Sequence, residues 1–136
     1  MKNEENLAYF LNEAKTIKPQ NLGKKLRVAF LASSTINGFE ETMRVKCSQK
    51  GIDCITYVGE YNQYNQEILN QDSELYRFKP DITFLILDTR HILGEHFFSL
   101  YSIPSNDRVE IVNTKHREIQ NICRTFQENF DSKLVV

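Results

Sequence analysis

Apolar residues recur along this chain in two alternating periods. Leu7, Phe10, Leu11, Ala14 and Ile17 step by three and four, which predicts a first helix. Asn3 is its expected cap, with Glu4 and Glu5 placed against its positive end. Lys18-Pro19 stops it, because the residue before a proline is pushed out of helical geometry. A polar linker, Gln20 to Lys25, leads into Leu26 to Ala32, which past Arg27 is apolar without alternation, as in a strand buried on both faces. Ser33 to Gly38 reads as a polar turn, and Phe39, Thr42, Met43 and Cys47 as the face of a helix that Gly51 ends with a left-handed cap. Ile52 to Val58 is a second strand ended by Gly59. Tyr61 to Asn70 is helical or irregular, and Ser73 to Phe78 a short helix before Lys79-Pro80-Asp81. Ile82 to Leu87 is the third strand, His91 to Tyr101 a short helix, and Pro104 to Asp107 a loop. Val109, Val112, His116, Ile119, Cys123, Phe126 and Phe130 then mark the longest helix, with His116 partly buried on its apolar stripe.

Strands alternating with helices imply right-handed crossovers and a parallel sheet. The expected fold is α/β, a three-layer parallel sheet with flanking helices of the SGNH or flavodoxin-like kind. It occupies residues 26–136, behind an N-terminal helix and linker at 1–25. Lys133 to Val136 begin a fourth strand, so the chain reads as a fragment truncated there. The open edge this leaves is expected to lower stability and to allow a homodimer.

Composition narrows the class. Hydrophobic residues make up 40% and charged residues 26% of 136, ordinary for a folded domain, and the net charge of -1 gives no basic surplus for nucleic acid. No apolar run approaches the roughly 20 residues of a membrane span, and the start has no apolar core after a basic residue, so a cytoplasmic protein is expected. Cys47, Cys54 and Cys123, an odd number without a Cys-x-x-Cys pair, read as reduced core thiols. No Gly-x-Gly-x-x-Gly follows the first strand and no P-loop occurs anywhere. His91 and His96, five apart, point to different sides of a helix and do not form a metal pair.

Ligands of open parallel sheets bind beyond the carboxyl ends of the strands. Three segments reach that edge: Ser33-Ser34-Thr35, Gly59-Glu60-Tyr61 and Asp88-Thr89-Arg90. Hydroxyls, a carboxylate and a guanidinium there suit a polar ligand. Equally, Ser33, Thr35 and Asn37 fit as helix caps, and Asp88 fits as the partner of Arg90 or of a backbone amide. The stretch Tyr61-Asn62-Gln63-Tyr64-Asn65-Gln66 suits either a recognition loop or a solvated helix start.

In combination, Leu31 to Thr35, Tyr57 to Leu69, Asp72 to Asp81 and Leu87 to Arg90 resemble the N-terminal domain of FkbH-like proteins, in which an SGNH-hydrolase-like domain precedes a HAD-type phosphatase-like domain. The resemblance implies a role in handling glyceryl or short acyl groups on an acyl carrier protein for polyketide-type pathways. It places the phosphoryl chemistry and a magnesium ion in a downstream HAD-type domain, with no cofactor in residues 1–136. The SGNH pattern is altered here. Ala32-Ser33-Ser34 stands where Gly-Asp-Ser belongs, Asp88-Thr89-Arg90 lacks the oxyanion-hole asparagine, and any Asp-x-x-His lies beyond Val136. The leading expectation is therefore a substrate-positioning or interaction domain, inactive alone. Its full-length protein would be a HAD-type phosphatase or acyl-transfer enzyme. Ser33 and Ser34 are the vestigial catalytic candidates, and Asp88, Arg90, Tyr61, Asn62, Gln63 and Tyr64 the substrate-binding ones. The alternatives are a serine esterase completed downstream of residue 136 and a purely structural module.

Overall fold

Leu26 to Ala32 becomes the centre of the sheet. The computed structural model describes residues 5–18 and 23–136. Its four strands, β1 (Lys25–Ala32), β2 (Asp53–Val58), β3 (Ile82–Ile86) and β4 (Lys133–Val135), are all parallel in the order β2-β1-β3-β4. Seven helices connect or flank them: α1 (Leu7–Thr16), α2 (Phe39–Gln49), α3 (Tyr64–Leu69), α4 (Glu74–Phe78), α5 (Thr89–Leu93), α6 (His96–Ser99) and α7 (Ser105–Asn129). The expected α/β architecture is the one observed.

Strand pleating sends alternate residues to opposite faces. Ala29, Leu31 and Leu85 join Ile68 of α3, Leu75 of α4 and Phe126 of α7 in one buried cluster. On the alternate positions Phe30 stacks on Phe84, whose backbone it pairs with, at 5.4 Å between ring centres. α2 packs beside β2 and against α1, where Val45 meets Phe10 and Ala14. Each of these buried side chains contributes about 1.5–3 kcal/mol of burial, less for the alanines. The thiol of Cys54 on β2 is pushed up to about 12, first by burial and then by neighbouring Cys47.

The corner between α4 and β3 is fastened by Arg27 of β1. Its guanidinium donates to the carbonyls of Phe78 and Lys79 and lies 4.4 Å over the Phe78 ring. Its own N–H donates to the Asp81 carboxylate at 2.7 Å, and the Asp81 N–H returns a bond to the Arg27 carbonyl at 2.8 Å. Glu67 does similar work at the start of α4, accepting from the Tyr57 hydroxyl at 2.8 Å and from the Leu75 N–H at 3.1 Å. Thus the Ser-Glu-Leu-Tyr and Lys-Pro-Asp stretches serve the scaffold.

Several expectations are corrected. The cap of α1 is Asn6, whose side chain accepts from the Tyr9 N–H at 3.0 Å; Asn3, Glu4, the stop at Pro19 and the linker residues 20–22 lie outside the described residues. On α2 the buried residues are Val45 and Cys47, while Phe39 is exposed, because α2 lies between α1 and the sheet and buries two sides. The single helix expected at His91 to Tyr101 is split: Gly94, at φ 56°, ends α5, and α6 and a 3-10 turn at Leu100–Ser102 follow. Ser105 already belongs to α7 rather than to a loop, since Pro104 is extended and sets the helix start. His116 is exposed, and it is Lys115 and Ile119 beside it that line the groove against α3 and α5.

Candidate functional site at the carboxyl edge of the sheet

With the order β2-β1-β3-β4, the connections leaving β1 and β3 part to opposite sides between those two strands, which is where open α/β sheets form their ligand crevice. The loops beyond the strands are tied together there by backbone bonds. Gly59 N–H donates to the Phe30 carbonyl at 2.9 Å, Asn62 N–H to the Ala32 carbonyl at 3.0 Å, and Ser33 N–H to the Ile86 carbonyl at 3.0 Å. A Cβ on Gly59 would come within 2.7 Å of Leu31, so only glycine lets the β2 loop approach β1 this closely. Asn62 holds a left-handed backbone at φ 56°, which turns the loop over the end of β1.

Ser33 is fully buried, and its Oγ accepts the Asp88 N–H at 2.7 Å. The hydroxyl therefore joins the ends of β1 and β3 and presents no solvent-facing oxygen. Asp88 caps α5, accepting from the Arg90 N–H at 2.8 Å, and pairs with the Arg90 guanidinium at 3.2 Å. That hydrogen bond holds the Asp88 carboxyl below the usual carboxylate range and raises the guanidinium. Arg90 keeps Nη1 outside this pair.

Ser34, half-buried, lines a cavity of about 550 Å³ with Asn37, Tyr61, Leu7, Leu11 and Val58 among its walls, and with Glu40 and Glu41 at the start of α2. Glu40 is held by the Thr56 hydroxyl at 2.6 Å. Gly38 closes this wall at φ 87°, where any Cβ would strike Leu7. Tyr61 borders the cavity, and its hydroxyl meets His91 Nε2 at 2.6 Å, the rings edge to face at 5.8 Å. Beyond that pair, Asn62, Tyr64 and His91 line a second groove of about 440 Å³ with Lys115 and Asn121 of α7. Burial raises the Tyr64 phenol in that groove. Gln63 faces a third hollow with Glu60 and Gln66.

The edge thus gathers Ser33, Ser34, Tyr61, Asn62, Asp88 and Arg90, but distributes the remaining candidates over adjoining hollows. Asp88 and Arg90 stand beside the main cavity and are not part of its wall. His91, which the sequence offers as a helix start and not as a metal partner of His96, reaches the cavity's edge through Tyr61; its place directly after Arg90 is the available signal. Neither Ser33 nor Ser34 is hydrogen-bonded to a histidine or carboxylate side chain among the described residues. Among those residues, too, no three His, Cys, Asp or Glu side chains gather to hold a metal ion, and no helix is long and apolar enough to cross a membrane.

A family model for the FkbH N-terminal domain matches residues 27–135. The chain belongs to that family. For this FkbH N-terminal domain, a similar solved structure is the N-terminal part of the protein BF1531 from Bacteroides fragilis, which contains a phosphatase domain complexed with Mg. The TM-score is 0.73 at 21% identity, over 91% of this chain and 31% of that one, which establishes a shared fold. This chain therefore spans about a third of that relative. Among curated proteins, none shows significant sequence similarity to it.

Proposed function

We propose that this FkbH N-terminal domain is a noncatalytic substrate-positioning module that holds a glyceryl or short acyl group, linked to an acyl carrier protein, for a magnesium-dependent HAD-type phosphatase-like domain of the same protein. The observation that carries the reading is the cavity beyond the carboxyl ends of β1 and β2, walled by Ser34, Asn37 and Tyr61, with the Ser33–Asp88 and Tyr61–His91 bonds standing beside it. Leu7, Leu11 and Val58 supply apolar wall, while Ser34 and Asn37 offer hydrogen bonds, which suits an uncharged acyl and amide chain. Glu40 and Glu41 repel a phosphate from the cavity itself, and the exposed Arg90 guanidinium beside it can receive one. The burial of Ser33, and the lack of a base on Ser34 among the described residues, favour positioning over serine esterase chemistry, since a serine hydroxyl needs a base to act as nucleophile.

The test is a titration of the isotopically labelled chain with an acyl-phosphopantetheine probe, followed by amide NMR shifts. The expected shifts map to Ser34, Asn37, Tyr61 and Arg90. Shifts confined to other regions, or none at millimolar probe, would refute the reading.

A further inference from the structure

Two hollows flank one pair of side chains at the carboxyl edge. Tyr61 walls the main cavity of about 550 Å³. His91, bonded to the Tyr61 hydroxyl at 2.6 Å, and Asn62, next along the chain, line the groove of about 440 Å³ between α3, α5 and α7. Both volumes fall within the roughly 300–1,000 Å³ of small-ligand sites. Their chemistry differs. The cavity sets Glu40 and Glu41 beside an aliphatic wall. The groove sets the carboxamides of Asn62, Asn65 and Asn121 beside Ile119 and Ile122, and its lysine, Lys115, is paired with Glu118 at 2.9 Å. A carboxamide both donates and accepts, which matches the N–H and C=O of a ligand's secondary amide better than it matches an ionic group. The isoleucines suit an aliphatic segment next to that amide.

Resting on the positioning role proposed above, we infer that the groove is the second half of the same site. A thioester with its acyl end in the cavity crosses the Tyr61–His91 pair and lays the distal amide and aliphatic segment of its arm in the groove. Tyr61 is more than half exposed, and the backbone bonds that tie the loops do not run through its side chain, so an arm can cross there without disturbing the sheet. The ligand class is therefore a thioester whose arm carries at least two secondary amides, and Asn121 is a residue that selects for the longer arm.

Two thioesters of the same acyl group, neither phosphorylated, test this on the isotopically labelled 136-residue chain. Acyl-N-acetylcysteamine carries one amide and acyl-pantetheine two. Both should shift the amides of Ser34, Asn37 and Tyr61. Acyl-pantetheine alone should also shift Asn65, Ile119 and Asn121, and should bind about tenfold tighter. Asn121→Leu, at an exposed helical position that leucine suits, should weaken acyl-pantetheine at least about threefold. It should leave the shorter probe within about twofold, which also reports an intact fold. Equal affinities with shifts confined to the cavity overturn the inference and leave the positioning role standing. Acyl-pantetheine binding indifferent to Asn121→Leu, or groove shifts without cavity shifts, overturns it as well, the latter by making the groove a separate site. If neither probe moves Ser34, Asn37 or Tyr61, the positioning role itself falls, and the continuous site with it.

Discussion

In β1 every side chain from Val28 to Ala32 is buried, whereas in the first half of α7 Val109 and Val112 stand in solvent. Both segments are apolar on the side their periodicity marks. β1 lies between two paired strands and two helical layers, so its apolar residues are covered whichever way they point. α7 lines a groove with α3 and α5 from Lys115 onward, and Val109 and Val112 do not share it. An apolar face is thus a statement about what the chain can cover, and topology decides whether anything covers it. The difference also separates two kinds of function. The covered region fixes a polar edge through the hydrogen bonds that tie its loops, while the bare one leaves apolar area in solvent.

The contrast breaks first at Leu31. Leu31→Ala should cost about 2–5 kcal/mol in urea unfolding, because the cavity lies between β1, α3 and α7 and cannot collapse. A loss below 1 kcal/mol would mean that this side of the sheet is far less tightly packed than the buried cluster indicates. Arg27→Met, which keeps the stem over Phe78 but leaves the carbonyls of Phe78 and Lys79 without their donor, should cost about 2–3 kcal/mol. Smaller again, Ser33→Ala should cost about 1–3 kcal/mol, since the Asp88 N–H loses its acceptor, whereas Ser34→Ala should stay within about 0.5 kcal/mol. Equal costs for the two serines would contradict the division between a tie and a cavity wall.

A pH series sharpens the rim further. The Asp88 carboxyl is held below its ordinary range when folded, so its contribution is present above the unfolded pKa of about 4 and is lost as pH falls through the folded value. Asp88→Asn keeps an oxygen to cap α5 but removes the charge paired with Arg90. Its melting temperature should fall slightly at pH 7, with the gap to the parent closing as pH falls through the folded value of Asp88. A gap that persists in acid would show that the cap, and not the ion pair, carries the effect. The smallest effect belongs to the bare face: Val112→Ala should change unfolding free energy of the monomer by no more than about 0.5 kcal/mol.

The strands were legible because β1 past Arg27 is continuously apolar and β3 is interrupted only by Thr83, and most of α7 because its apolar residues hold step for more than five turns. The position of the rim was legible as well, since the carboxyl edge follows from strand order alone. What escaped were features set by contacts distant in sequence. Ser33 and Ser34 are identical residues in one turn, yet only Ser33 meets the Asp88 amide, 55 positions away. The Tyr61–His91 contact spans 30 positions, and no local pattern marks it. The division of His91 to Tyr101 depends on the left-handed backbone of Gly94, which an apolar pattern overrides on paper. His116 shares the spacing of Ile119 but is exposed, while Lys115 and Ile119 on either side of it line the groove.

The account rests on the carboxyl-edge cavity being where ligand is held, and calorimetric titration of acyl-phosphopantetheine measures that most directly. Binding to the parent chain, to Tyr61→Ala and to Val112→Lys should be compared at one pH and salt concentration. Tyr61→Ala removes a wall and the bond to His91 and should weaken binding by about tenfold, while Val112→Lys should bind as the parent does. Undiminished affinity in Tyr61→Ala, or a loss confined to Val112→Lys, would contradict it.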